Sequence, residues 1–405
     1  MSRDNEHPWP NFSQEEAEAV ERVLTSNRVN YWTGEECRKF EQEFAAFAGT
    51  KHAIAVANGT VALELTLHGL GIGERNGGSA SDEVIVTPRS FIASVSCVVN
   101  AGAVPVFADV DRHTQNISAD SIRAVVTRNT RAVLCVHLSG WPCDIDAIKA
   151  VTEPRGIRLI EDCAQAHGAS YKGKPAGSLG DVAAWSFCQD KIMTTGGEGG
   201  MITCSEEAVW QRMWSYKDHG KDYEKTTSRG PATGFRWVHD SFGSNYRMLE
   251  MQAAIGRIQL RRMPHWHSER AANAAEVRKI LEPYSGENGW LRVPVPDHRY
   301  HGEASGSGAD CQHAWYRIYA FVRPERLPNG WDRDRVAKMF SDQGLTCMQG
   351  ICPEIYLEKA FDDTGLRPAQ RLPVARELGE TSLMFLVHPG MTYPQIEFPE
   401  ELEKV

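Results

Sequence analysis

Between residues 52 and 187 the chain repeats one pattern: a short apolar run, a polar or glycine-bearing stop, then a helical stretch. HAIAVAN, DEVIVTP, VPVFADV, RAVLCVHLSG, GIRLIEDC and VAAWSF are the apolar runs. GTVALELTLHGLG, SFIASVSCVVNAG, ISADSIRAVVTR and DIDAIKAVTEPRG lie between them and read as helices. Strands this apolar need cover on both faces, and helices in the crossovers supply it. The pattern predicts an α/β fold with a parallel sheet between helical layers. GGMITCSEE reads as one more strand, with an antiparallel orientation open to it.

The later sequence changes character. SNYRMLEMQAAIGRIQLRR (244–262) reads as an amphipathic helix, and a longer helical stretch follows over 265–284. β-like AWYRIYAFVRP, helical DRDRVAKMFSDQG and helix-like LPVARELGETSLM come after it. This predicts a large domain over 1–264 and a smaller α+β domain over 265–405. Segments 74–81, 218–237 and 301–310 read as surface loops. The middle one is long for a structureless loop, which favours a lid or binding loop.

Lys+Arg total 44 against Asp+Glu 53, a net charge of −9. That balance argues against broad nucleic-acid or membrane-surface binding. No run is long and apolar enough for a membrane span, and MSRDNEHPWPNF has no apolar leader, so a cytoplasmic protein is expected. The ten cysteines include no CxxC pair and read as reduced, buried small hydrophobes rather than a metal site.

Ligands of open α/β sheets sit at the carboxyl ends of the strands. Past the predicted strands stand Asn58-Gly59-Thr60, Arg89-Ser90-Phe91, His137, Glu161-Asp162 with Gln165, and Ser186 followed by Lys191. Each has a bland reading. Gly59 and Thr60 could be a turn and a cap, Asp162 a cap, Phe91 core, and His137 a satisfied structural histidine. Together they are more specific. A lysine amine condenses with an aldehyde. A buried carboxylate keeps a pyridine nitrogen protonated. A helix N-terminus holds a phosphate. Those are the requirements of pyridoxal phosphate. The chain has no GxSxG elbow, HExxH helix or GxxxxGK[ST] loop to serve a rival chemistry.

Several motifs then resemble one family in order. They are ANGTVALELTL, DEVIVTPRSFIASVSCVVNAGAVPVFADVD, VHLSGWPCDIDAI, LIEDCAQAHGASYKGKPAGSLGD, SFCQDKIMTTGGEGGMI and GSNYRMLEMQAAIGRIQL. They are similar to the DegT/StrS-type nucleotide-sugar aminotransferases, fold-type-I pyridoxal-phosphate enzymes. The resemblance implies a large domain with a mostly parallel seven-stranded sheet and a smaller C-terminal α+β domain. It makes Lys191 the Schiff-base lysine and proton shuttle, and Asp162 the partner of the pyridine nitrogen. Gln165 would contact the ring hydroxyl and Phe91 would stack on the ring. Gly59, Thr60 and Ser186 would bind the phosphate, joined by Asn245 from a second subunit of a homodimer. The implied reaction moves an amino group, with glutamate as expected donor, to a keto sugar linked to a nucleoside diphosphate. The product would serve a surface polysaccharide or a glycosylated natural product. Family dehydratases carry histidine at the lysine position, so Lys191 favours transamination. A sugar dehydratase and a non-enzymatic regulator of the same fold are the alternatives. Arg89, Lys217, His219 and Arg247 are candidate anion contacts.

Overall fold

The computed structural model describes residues 9–228, 235–295 and 311–403. The expected loop at 301–310 and the middle of the 218–237 loop lie outside the described residues. Strands His52–Val56 (β1), Glu83–Val86 (β2), Val104–Phe107 (β3), Thr130–Val136 (β4) and Arg158–Asp162 (β5) follow in chain order. A ribbon of Ser170–Tyr171 (β6) and Lys174–Pro175 (β7) precedes Val182–Ser186 (β8) and Gly200–Cys204 (β9). Seven of these form one sheet in the order β1-β9-β8-β5-β4-β2-β3. The pairs β3–β2, β2–β4, β4–β5 and β5–β8 are parallel, and β9 runs antiparallel to both β8 and β1.

The period-two alternation of the strands divides the core. Val84, Val86, Leu134, Ile160, Val182 and Ala184 enter one apolar layer with helices Gly59–Leu70 (α3) and Ala93–Asn100 (α4). Ile85, Val133 and Leu159 enter a layer beneath the opposite face. Ala183, Trp185 and Met201 join Phe40 and Phe44 of Glu36–Ala48 (α2) there. Each such side chain removed from water contributes about 1.5–3 kcal/mol. That is why the central positions of the strand segments are apolar on both faces.

Two expectations about the following chain need correction. Residues 244–249 are extended rather than helical: Asn245 and Arg247 bridge to Asp218 and Val56. The two expected helices are one, Glu250–Leu281, with Pro264 inside it. An internal proline costs about 3 kcal/mol, which packing on both sides offsets. Ala253, Met263 and Trp266 bury against the large sheet, and Ala274, Val277 and Leu281 against a second core. That second core lies on a four-stranded antiparallel sheet of Leu291–Arg292 (β10), Arg317–Val322 (β11), Cys347–Met348 (β12) and Ser382–Leu386 (β13). The segment 74–81 is held by Asp82, which accepts from Gly73 N and Ser79 N. Among the described residues no helix is long and apolar enough to cross a membrane.

Candidate active site

Strand parity also sorts the polar residues at the sheet's carboxyl edge. Glu161 and Asp162 are neighbours, so they point to opposite faces. Glu161 turns beneath the sheet and is fully buried. It accepts from Gly177 N (2.9 Å), Leu179 N (2.8 Å) and Gly180 N (2.7 Å), and its Oε2 lies 2.9 Å from His137 Nε2. His137 Nδ1 accepts from Cys143 N at 3.0 Å. Both ring nitrogens are committed, so His137 is structural.

Asp162 faces the layer of α3 and α4. Its Oδ2 accepts from the Ser94 hydroxyl at 2.7 Å and its Oδ1 from Ala164 N at 3.0 Å. It is buried and forms no ion pair among the described residues. Burial raises its pKa, while Ser94, the Ala164 N–H and the nearby Lys191 charge act the other way. A cation placed against the carboxylate, such as a protonated pyridine nitrogen, would favour its charged form.

Ser186 ends β8 on the same face. The first residue of α3, Gly59, lies so close that a Cβ there would sit 2.7 Å from Ser186 Cβ. Asn58 caps the helix by accepting from Val61 N at 3.0 Å. The N–H groups of Gly59 and Thr60 belong to the first turn, where a helix has no acceptor of its own. The Ser186 hydroxyl and that positive helix end suit a phosphate. Thr60 is exposed, and Phe91 is 64% exposed although Ser90 and Ala93 beside it are buried. Gln165 is buried, with its amide oxygen accepting from Ser139 N at 2.6 Å. Its amide nitrogen makes no hydrogen bond among the described residues.

Lys191 lies in the loop after β8, its amide donating to Cys188 O at 3.0 Å. Its amine is 3.2 Å from Asp190 Oδ1 and donates to the Tyr316 hydroxyl at 3.4 Å. Burial opposes the charge, yet Tyr316 and Asp190 hold the ammonium pKa above its ordinary value. Trp9 Nε1 donates to the Lys191 carbonyl at 3.0 Å and fixes the loop from outside. Asn245 is exposed and bridges backbone to backbone with Asp218.

The four candidate anion contacts divide. Lys217 is fully buried, its amine 3.9 Å from the Tyr31 ring centroid, and Arg89 is fully buried beside Gln115. Arg247 pairs with Asp218 at 2.7 Å, and His219 is exposed. Sequence reasoning missed Ser94 and Tyr316. Ser90 and Ser94 stand four apart along a mostly apolar helical run, which is a readable signal. Tyr316 lies 125 positions beyond Lys191 and gave none.

A lysine, a buried acid without a counter-cation and a helix-end anion cradle on one rim fit pyridoxal phosphate. They define a pyridoxal-phosphate enzyme of the aminotransferase kind. The chain belongs to the DegT/DnrJ/EryC1/StrS aminotransferase family, which matches residues 10–398. It is similar to GDP-perosamine synthase of Escherichia coli O157:H7, 38% identical over 96% of this chain and 94% of that relative. It is 32% identical to the dTDP-3-amino-3,4,6-trideoxy-alpha-D-glucose transaminase of Streptomyces venezuelae, over 93% of this chain and 88% of that one. The crystal structure of an aminotransferase from Psychrobacter cryohalolentis superposes with a TM-score of 0.90 at 54% identity, covering 98% of this chain and 95% of the other.

Proposed function

We propose that this aminotransferase moves an amino group from glutamate to a keto sugar carried on a nucleoside diphosphate, for synthesis of an amino sugar. The observation that carries this is the placement of Lys191, Asp162, Ser186 and Gly59 on one rim, in a chain whose relatives at 38% and 32% identity are named for amino-sugar products. When bound, pyridoxal phosphate supplies an aldehyde for amines and a ring that takes up the electrons left when a neighbouring carbon loses its proton.

The chain's own residues do the rest. Asp162 holds the ring nitrogen in its charged form, Phe91 covers the ring face and Gln165 meets the ring hydroxyl. Gly59, Thr60 and Ser186 hold the phosphate. Lys191 anchors the cofactor and, once released, is a neutral amine close to the reacting carbon. That amine would serve as the base and then the acid that takes up and returns a proton beside it. Lysine rather than histidine here supports transfer over dehydration.

The reading includes a homodimer in which the partner subunit's Asn245 completes the phosphate site. The support is local in sequence: Asn245 is exposed, and Phe235, Trp237 and Phe242 shortly before it in the chain are 76%, 81% and 100% exposed. Such an apolar surface favours a protein contact. We also place the boundary between the large and small domains at 264/265, inside the long helix, and the enzyme in the cytoplasm.

Borohydride reduction of the loaded enzyme should leave the cofactor mass on the peptide containing Lys191. A panel of keto-sugar nucleotides with glutamate should then show amino-group transfer to at least one. Failure to label Lys191 would overturn the site. Labelling without transfer to any sugar nucleotide would overturn the substrate.

A further inference from the structure

Two groups that touch the Lys191 amine have no part in the chemistry above. Tyr316 Oη lies 3.4 Å from Nζ and Asp190 Oδ1 lies 3.2 Å from it. The Tyr316 hydroxyl itself donates to Asp190 Oδ2 in a short hydrogen bond. The three groups close a triangle. Its corners differ in access to water: the Lys191 side chain is 18% exposed, the Asp190 side chain 53%.

The plain alternative is an incidental ion pair between sequence neighbours, with Asp190 serving to satisfy a buried phenol. Exposed pairs of that kind contribute little. Two features go further. Tyr316 stands immediately before β11 and is fixed in place, its amide donating to Ser139 O at 3.0 Å while Ser139 Oγ donates to the next carbonyl, that of Arg317. The Arg317 guanidinium stacks on the Tyr316 ring at 4.0 Å and approaches Asp190 Oδ2 at 3.6 Å. A rigid phenol, braced from two sides, is thereby held between an enclosed amine and a carboxylate open to solvent. An amine that must accept a proton in one step and carry a surplus in another needs such an outlet.

We propose that Tyr316 and Asp190 form a relay that holds the Lys191 amine whenever it is disengaged from the cofactor and passes its surplus proton to water. An ammonium proton moves to the Tyr316 oxygen as the phenolic proton moves to Asp190 Oδ2. Lys191 is left a neutral amine, Tyr316 keeps one proton, and Asp190 becomes a neutral acid that releases its proton to solvent. The reverse sequence recharges the amine. Tyr316 acts as a shuttle and not as an anion, because burial raises the pKa of its phenol. The other charged or titratable groups facing the triangle are Arg317, Arg270, Asp162 and His167. His167 is neutral there, its pKa lowered to about 3 by burial.

The inference rests on Lys191 being the cofactor lysine, and its test separates the two. In cofactor-free protein, limiting acetic anhydride across a pH series, read by mass spectrometry of the Lys191 peptide, titrates the amine. Tyr316→Phe and Asp190→Asn should both move that titration to lower pH. Loaded Tyr316→Phe should lose kcat several-fold with KM little changed. Asp190 is largely exposed, so its variant reports even if Tyr316→Phe misfolds. A Lys191 titration in Asp190→Asn identical to that of the natural protein would overturn the relay. So would an unchanged kcat in a well-folded Tyr316→Phe. Borohydride labelling at Lys191 stays intact in either case, and its loss would instead count against the cofactor site.

Discussion

The Ser94 hydroxyl donates to Asp162 Oδ2 at 2.7 Å, and both groups are buried. α4 carries the donor and β5 the acceptor, so the contact exists only once helix and sheet have packed. A hydrogen bond to a charged group contributes about 1.5–3 kcal/mol.

Ser94→Ala should therefore weaken cofactor binding by roughly 10-fold or more. The pH dependence has a defined sign. The Asp162 pKa is raised in the free protein, so at acid pH the group is neutral and must lose a proton before it can pair with a ring cation. Cofactor affinity should fall as pH drops through that raised value, and Ser94→Ala should move the fall to higher pH. Spectroscopic titration with pyridoxal phosphate over pH checks both.

The same raised pKa makes Asp162 a cost to the cofactor-free fold. A carboxyl harder to ionise in the folded state destabilises it as pH rises past the ordinary carboxyl range. Asp162→Asn should raise the melting temperature of the cofactor-free protein at neutral pH, by about 1–2 °C, while cutting turnover severely. Calorimetry beside an activity assay decides this. A lower melting temperature would show that the acid is structural.

Gly59→Ala should close the cradle. Its Cβ would lie 2.7 Å from Ser186 Cβ, well inside van der Waals contact. Folding should survive, because the atoms nearest to such a Cβ all belong to the one residue Ser186. Cofactor affinity should fall by roughly 10–100-fold, the range expected for losing one charge-assisted contact. Ser186→Ala should fall in the same range without the steric effect.

Glu161→Gln should behave in the opposite way to its neighbour. Three backbone N–H groups and His137 converge on the Glu161 carboxylate. An amide nitrogen would face donors it cannot accept from. Breaking a buried charged network of this kind costs about 3–5 kcal/mol. The urea midpoint should drop, while activity per folded molecule stays near that of the natural protein.

Asn245→Asp puts a like charge where the phosphate is proposed to sit and should abolish turnover. Mixing inactive Lys191→Ala with inactive Asn245→Asp protein should restore activity through hybrid dimers carrying one intact site. No recovery after subunit exchange would argue that each chain builds its own site.

Much of this site could be read along the chain. A parallel sheet places the ends of its strands on one edge, so Ser186, Asp162 and the Gly59 turn were assembled by topology alone. Strand parity also separates Glu161 from Asp162, sending the two neighbours to opposite faces of the sheet. The helix over 250–281 was misread because Pro264 breaks helices in isolation, whereas here apolar contacts on two cores outweigh the lost hydrogen bond.

The sequence by itself determined the layers, the sheet edge on which the polar residues gather, and the candidates for holding a cofactor, because period-two apolar runs and turn residues act locally. Only the tertiary structure decided that Ser94 supports Asp162, that His137 is committed to Glu161, and that Tyr316 reaches Lys191 from the segment leading into the second sheet. Those contacts join residues far apart in the chain, and their distances follow from how helices and sheets pack against one another, which no local pattern encodes.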